Sequence, residues 1–449
     1  MSRASRRLGR ACAVLVLALS LTVGAPPALA DEHPAEAARA TSLTLLDSVA
    51  LSDRLTELTF RTPALAAPTK VRILLPADYA SSERRYPVLL LLHGAADDFR
   101  SWTDKGDAEN LTKGLPLIVV MPDGGMGGFY SDWFNRGAGG PPMWETFHIR
   151  QLLPWVDAHY RTSARRGKRA VTGLSMGGFG TMSYAARHPD LFSFAASFSG
   201  ALDTNTVPLM AEMIDGGVPG DTWGQRATDE VRWRAHNPWD LAANLRGIRL
   251  TIRTGNGQPG GAYGGGDPVE TAVWLMSTKM HERLADLGIP HVWDDYGAGS
   301  HTWPYWAHDL EVTLPDLMRS FAHPPRTPRR FSFTAVEPTY RAYGWTVRLN
   351  RPTLEFSTLS KAGRRGFRLA GTGSAQVRTA GYYRPGTLHR VVVNGLGGRS
   401  VRIIRAGRHG RLRIPVTLGP ANDFQAYTAA AQTTGTASYT SVVRISAQK

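Results

Sequence analysis

Apolar residues in the first two thirds of the chain fall into two kinds of run. Pro87 to Leu92 and Leu117 to Met121 are short, unbroken and apolar, as strands buried on both faces are, Phe192 to Ser197 is another buried run, and Ile248 to Thr254 is the next strand. Between them Trp144 to Tyr160, Val269 to Leu287 and Pro304 to Phe321 place apolar residues at helical spacing. Leu55 to Thr62 and Val71 to Leu75 add strands ahead of the turn Pro76-Ala77-Asp78-Tyr79, and His291 to Asp294 is a last short strand. Strands lead into the loops His93-Gly94-Ala95-Ala96, Pro122-Asp123-Gly124-Gly125 and Gly255-Asn256-Gly257. The alternation predicts an α/β fold with a mostly parallel doubly wound sheet over residues 45–323.

At residues 324–330, Pro-Pro-Arg-Thr-Pro-Arg-Arg, the pattern changes. Proline and arginine crowd a linker, and beyond it helical periodicity stops. Gly344 to Leu349, His389 to Asn394 and Leu412 to Leu418 alternate with period two between Gly, Asn and Pro, so residues 331–449 read as a small all-β, sandwich-like accessory domain. Charge divides the chain at the same place. The net charge is +15 overall; from Pro324 onward 21 Lys and Arg face only Glu337, Glu355 and Asp423, whereas residues 31–323 sum to −7.

The first 30 residues have the layout of an export signal, with Arg3, Arg6, Arg7 and Arg10 before the apolar stretch Ala11 to Val23 and Ala28-Leu29-Ala30 before Asp31. Ser5-Arg6-Arg7 has the start of a twin-arginine signal, but Gly9 stands where an apolar residue is wanted, so the general secretory route is expected. Residues 31–44 are expected to be a flexible mature N-terminus. The single cysteine, Cys12, lies in the signal ahead of its apolar core, which leaves a mature chain without disulfide or lipid anchor. No second long apolar run offers a transmembrane anchor, and the chain reads as secreted, with a place at the cell wall.

Candidate chemistry centres on Arg169-Ala170-Val171-Thr172-Gly173-Leu174-Ser175-Met176-Gly177-Gly178. A strand, a Gly-x-Ser-x-Gly turn and a helix form a nucleophile elbow, which makes the fold an α/β-hydrolase. With 47 glycines the five residues alone decide little, so the context carries the assignment. The order Ser, acid, His requires a later base, and His301 follows the last strand. Asp267 before Pro268 reads as a helix N-cap, which leaves Glu270 as the better orienter of the base and Asp267 as the alternative acid. The amides of Ala95 and Met176 are the candidate oxyanion donors. His93, Trp102, Trp133 and Trp303 are candidates to line the acyl or sugar site. Nothing calls for a metal or cofactor.

Several blocks carry a resemblance: Leu91-Leu92-His93-Gly94, Gly128-Phe129-Tyr130-Ser131-Asp132-Trp133, Trp144-Glu145-Thr146-Phe147, Gly173-Leu174-Ser175-Met176-Gly177, Gly255-Asn256-Gly257 and Ser300-His301-Thr302-Trp303-Pro304-Tyr305-Trp306. In this order, over about residues 45 to 322, the chain resembles the secreted mycolyltransferases of the antigen 85 family and the wider esterase D group. The resemblance implies Ser175 as nucleophile, His301 as base, Glu270 as acid and the amides of Ala95 and Met176 as oxyanion hole. It departs at His93-Gly94-Ala95-Ala96, the pattern of ordinary esterases, where the mycolyltransferases carry an acidic residue and an arginine that help hold trehalose.

These readings point to a secreted serine carboxylic-ester hydrolase or acyltransferase acting on an acyl ester or glycolipid, with water or a sugar hydroxyl as acceptor. The alternative is a non-catalytic, adhesin-like envelope protein on a hydrolase scaffold. The basic C-terminal domain is expected to hold an anionic cell-envelope polymer. Export and the lack of a recognition motif argue against nucleic acid.

Overall fold

The computed structural model describes residues 42–217 and 221–448. The export signal, Cys12 and residues 31–41 of the expected flexible segment lie outside the described residues. Among these, nine strands build the large sheet: β1 (Thr44–Ala50), β2 (Leu55–Arg61), β3 (Thr69–Leu74), β4 (Val88–Leu92), β5 (Ile118–Pro122), β6 (Arg169–Leu174), β7 (Phe194–Phe198), β8 (Arg249–Thr254) and β9 (His291–Asp295). Their order is β1-β2-β3-β5-β4-β6-β7-β8-β9, antiparallel from β1 to β5 and parallel from β5 to β9. β1 was not anticipated. All seven of its residues are exposed, so no apolar alternation marks it.

Strand alternation divides the apolar core into two layers. Leu90, Leu92, Val120 and Val171 pack on one face, whereas Leu89, Leu91, Val119 and Ala170 pack on the other against Trp306, Leu310 and Leu314 of the closing helix, Trp303–Ala322. β4 and β5 are buried along their whole length, which is why they read as continuous apolar runs rather than as alternation. The stretch read as one helix, Trp144 to Tyr160, is a π-helical segment, Thr146–Leu152, followed by an α-helix, Leu153–His159.

Beyond residue 330, ten described strands between Phe331 and Ala447 form a six-stranded and a four-stranded antiparallel sheet. Phe333, Phe367, Val391 and Val443 from the first sheet and Trp345, Val347, Val377 and Ile414 from the second share one core, the arrangement of a sandwich.

This β region is fastened to the large sheet's side of the molecule at the far end of the helix Met176–Arg187. Arg187 lies between two carboxylates, with Nε 3.0 Å from Glu145 Oε1 and Nη2 2.7 Å from Glu337 Oε1, while Nη1 donates to the carbonyl of Ala235 at 2.7 Å. Burial alone would raise the Glu145 carboxyl, but Arg187 and His188 outweigh it and hold the group well below the usual range. Asn244 exchanges two hydrogen bonds of 2.9 Å with the backbone of Thr334, and Val231, Ala235, Val336 and Leu354 close a small apolar cluster across the junction. Replacing Arg187 by Met strands Glu145 without its main counter-charge. We expect Arg187→Met to lower unfolding free energy by about 3 to 5 kcal/mol in urea titrations. A loss below about 1 kcal/mol would mean the junction is solvated.

Candidate active site

β6 ends at Leu174 and the elbow helix begins at Met176, so Ser175 alone makes the turn. Its φ of 53° and ψ of −118° are strained for a residue with a Cβ. The strain is held in place by the Ser175 N–H, which donates to Phe198 O on neighbouring β7 at 2.9 Å. Gly177 is required by close approach, since a Cβ there would sit 2.6 Å from the carbonyl oxygen of His93.

Three side chains from separate segments meet in one line. Ser175 Oγ lies 2.9 Å from His301 Nε2, and His301 Nδ1 lies 2.7 Å from Glu270 Oε2. Glu270 is fully buried, and its other oxygen accepts from the N–H of Gly255 at 2.8 Å and from the hydroxyls of Ser199 at 2.9 Å and Thr254 at 3.1 Å. That carboxylate therefore spends every bond on one position. The Trp306 ring stands edge-on to the imidazole, with centroids 4.8 Å apart, and its Nε1 donates to Ser199 Oγ at 3.2 Å.

Asp267 has a different place. Its Oδ1 caps the helix Pro268–Asp286 by accepting from Val269 N at 2.9 Å and Glu270 N at 3.2 Å, and its Oδ2 accepts from the backbone N–H of His301 at 2.8 Å. Burial, which would raise this carboxyl, is outweighed by those three N–H donors, led by His301, and the group is held below its ordinary value. It is thus Glu270, not Asp267, that reaches the imidazole, while Asp267 fixes the loop that carries it.

The turn bearing Ala95 runs directly beside Ser175, since a Cβ on Gly94 would lie 3.4 Å from that of Ser175. His93 and Trp102 do not line a substrate surface as expected. Both are 1% exposed, and their polar atoms are used on backbone. His93 donates from Nδ1 to Gly94 O at 2.7 Å and accepts from Gly124 N at 2.8 Å, while Trp102 Nε1 donates to Leu92 O at 2.9 Å. They prop the turn from behind. Trp133 Nε1 donates to Gly128 O at 3.0 Å, and its side chain lines a separate cavity of about 310 Å³ with Phe134, Trp223 and Arg232. Trp303 remains part-exposed, packed edge-on against Trp102 and Trp306 at 5.2 and 5.4 Å.

Residues 62–317 match the Esterase family model. An esterase of Mycobacterium tuberculosis is 40% identical over 242 residues, 52% of this chain and 52% of its own length. The diacylglycerol acyltransferase/mycolyltransferase Ag85B of Mycolicibacterium smegmatis is 34% identical over 242 residues, 50% of this chain and 74% of that protein. The chain belongs to the antigen 85/esterase D-like family of esterases. It spans about half the length of the M. tuberculosis relative. Among solved structures, an S-formylglutathione hydrolase from Agrobacterium tumefaciens matches with a TM-score of 0.51 at 16% identity, over 62% of this chain and 99% of that one, a likeness in the α/β-hydrolase fold.

Within this esterase fold, Ser199, Thr254 and Trp306 are site residues that motif reading missed. Only Trp306 carried a signal, as the end of the His301-Thr302-Trp303-Pro304-Tyr305-Trp306 block. His148 is a further one, at one remove. Fully buried, it donates from Nε2 to Asp123 O and accepts from the Tyr184 hydroxyl, each at 2.8 Å, and so fixes the loop against which His93 rests. Burial pushes its imidazole down from 6.5 to about 4, so it stays neutral in the fold. The unfolded chain takes up that proton first, so the contribution is complete above pH 6.5 and is lost as pH falls toward 4, on the order of 3 kcal/mol in all. His148→Gln should flatten the stability-against-pH curve across that interval. An unchanged slope in chemical denaturation at pH 4.5, 5.5 and 6.5 would contradict the neutral, buried assignment.

Proposed function

We propose that this protein is a secreted serine carboxylic-ester hydrolase or acyltransferase that works through an acyl-serine. The observation that carries the reading is the hydrogen-bonded line from Ser175 through His301 to Glu270. Ser175 Oγ attacks the ester carbonyl while His301 Nε2 takes its proton. Glu270 keeps the Nδ1 proton in place and stabilises the imidazolium that forms, as the orienting carboxylate of a catalytic triad does. The amides of Ala95 and Met176 receive the oxyanion, Met176 from the first position of the elbow helix. As the tetrahedral centre collapses, the imidazolium gives its proton to the leaving alkoxide. Water or a sugar hydroxyl then enters and attacks the acyl carbonyl, losing its proton to His301, and the imidazolium returns that proton to Ser175 Oγ as the acyl group leaves.

The relative named a diacylglycerol acyltransferase/mycolyltransferase supports lipid esters as donors. His93-Gly94-Ala95-Ala96 in place of the mycolyltransferase pattern supports an esterase rather than a trehalose-specific enzyme. The export signal supports secretion, and among the described residues no helix is long and apolar enough to cross a membrane. The basic C-terminal module then serves as a tether to an anionic envelope polymer.

Chromogenic short- and medium-chain esters test the reading. Ser175→Ala and His301→Ala should each lower kcat by at least about a thousandfold, because triad members act as a unit. Activity in either variant near that of the unaltered protein would remove it from the mechanism. Absence of turnover in the unaltered protein across chain lengths would favour the non-catalytic envelope protein. The two acids separate cleanly. Glu270→Gln should cost about a thousandfold or more in kcat through loss of the charge opposite imidazolium, whereas Asp267→Asn, which keeps an accepting oxygen for its cap, should cost no more than about tenfold. The reverse ranking would move the acid to Asp267.

A further inference from the structure

The β-region's arginines are not spread evenly. Strand register pairs Arg341 with Thr346, Thr346 with Arg378, and Arg378 with Arg413, so that three arginines stand in one row across all four strands of the smaller sheet. Arg348 lies two residues along from Thr346 on the same strand face, and Arg411 just precedes the strand that carries Arg413. Like charges placed directly opposite across a ladder destabilise it.

The region's three acids are engaged or distant. Glu337 pairs with Arg187 across the junction, Glu355 is buried against Arg351, Thr372 and Asn422, and Asp423 lies in the loop after the last strand of this sheet. Among the described residues, no carboxylate pairs with Arg378, Arg411 or Arg413. Arg378 Nη2 donates to Thr346 Oγ1 at 2.9 Å, but the Nε atoms of Arg378 and Arg411 are both buried without a hydrogen-bond partner. Two unpartnered guanidinium donors set among like charges have the chemistry to receive an oxyanion. Burial and then Arg411, Arg341, Arg413 and Arg348 all push the Arg378 guanidinium down, the direction a bound anion would reverse.

We infer that the row around Arg378, Arg411 and Arg413 is an oxyanion-binding site that takes phosphate or carboxylate groups carried on a hydrophilic polymer. This rests on the reading of the module as a tether and gives that tether a location. Guanidinium forks match both anions in a bidentate way. From Arg413 past Arg378 to Arg348 is two steps between neighbouring strands, roughly 10 Å, room for successive charged groups of a chain rather than one small ion. The face is polar as well as basic, with Gln376 and Thr417 exposed on it. Exposed Val401 and Ile403 belong to the edge strand of the other sheet, so the row itself has no apolar surface to insert into a bilayer.

The test uses the full chain, with inorganic polyphosphate and polygalacturonate as polymer probes and phosphatidylglycerol vesicles as the lipid arm, at low and high salt. Arg378→Gln with Arg413→Gln should weaken polymer binding at least tenfold, whereas Arg402→Gln with Arg405→Gln on the edge strand, an equal loss of charge, should change it less than twofold. Arg411→Gln serves as a second probe should the first pair fold poorly. Polyphosphate should raise the Tm of the unaltered protein and not that of the Arg378 pair. Equal weakening by both pairs, no weakening by either, or vesicle binding through the same arginines without polymer binding would overturn the site. Sedimentation with purified cell wall separates the two readings. Polymer bound through the row while the protein ignores the wall defeats the tether but not the site. Wall binding that survives loss of the row defeats the site but not the tether.

Discussion

Everything at the centre of this molecule depends on the carboxylate of Glu270 being buried and saturated with hydrogen bonds. Gly255, Ser199 and Thr254 take one oxygen, and His301 takes the other. Those partners come from the ends of β7 and β8 and from the loop after β9, so one side chain ties together the carboxyl edge of the parallel sheet. A buried charge left short of partners would cost several kcal/mol, whereas one so fully bonded makes its neighbours' positions mutually dependent. The imidazole follows from it. Its ring is fixed by Glu270 on one side and Trp306 on another, and its backbone by Asp267.

Ser175 is placed by a different constraint. Ser175 carries a backbone strain of about 1 to 3 kcal/mol, and the strands flanking β6 are what sustain it. β6 pairs with β4 and β7, both buried throughout, so the turn cannot relax without disturbing the fully buried centre of the sheet. The same helix that starts at this turn ends at Arg187, where the β region is clamped, so nucleophile and accessory module share one rigid element.

Much of this was legible in the sequence, and the omissions have physical causes. Buried parallel strands announce themselves as unbroken apolar runs, and the elbow announces itself through glycines that only close packing requires. Ser175, Glu270 and His301 therefore emerged from motif and chain order. Ser199 and Thr254 did not, because a lone hydroxyl at a strand end looks like any other until the fold aims it. His93 and Trp102 sit in the right motifs but face inward, and sequence adjacency to an oxyanion turn does not say which way a side chain points. β1 escaped notice because both of its faces meet solvent. In the C-terminal region the excess of arginine was plain from composition. That Arg378 and Arg413 oppose one another depends on strand register, which composition does not contain.

The central claim is that Ser175, activated through His301 by a carboxylate held in this way, carries the acyl group. The most direct measurement is intact-protein and peptide mass spectrometry after rapid quenching of the protein with a chromogenic ester, at times matched to any burst of released alcohol. The account predicts a single acyl adduct, on the peptide containing Ser175, formed at the burst rate. Turnover without an adduct, or an adduct on another residue, would contradict it.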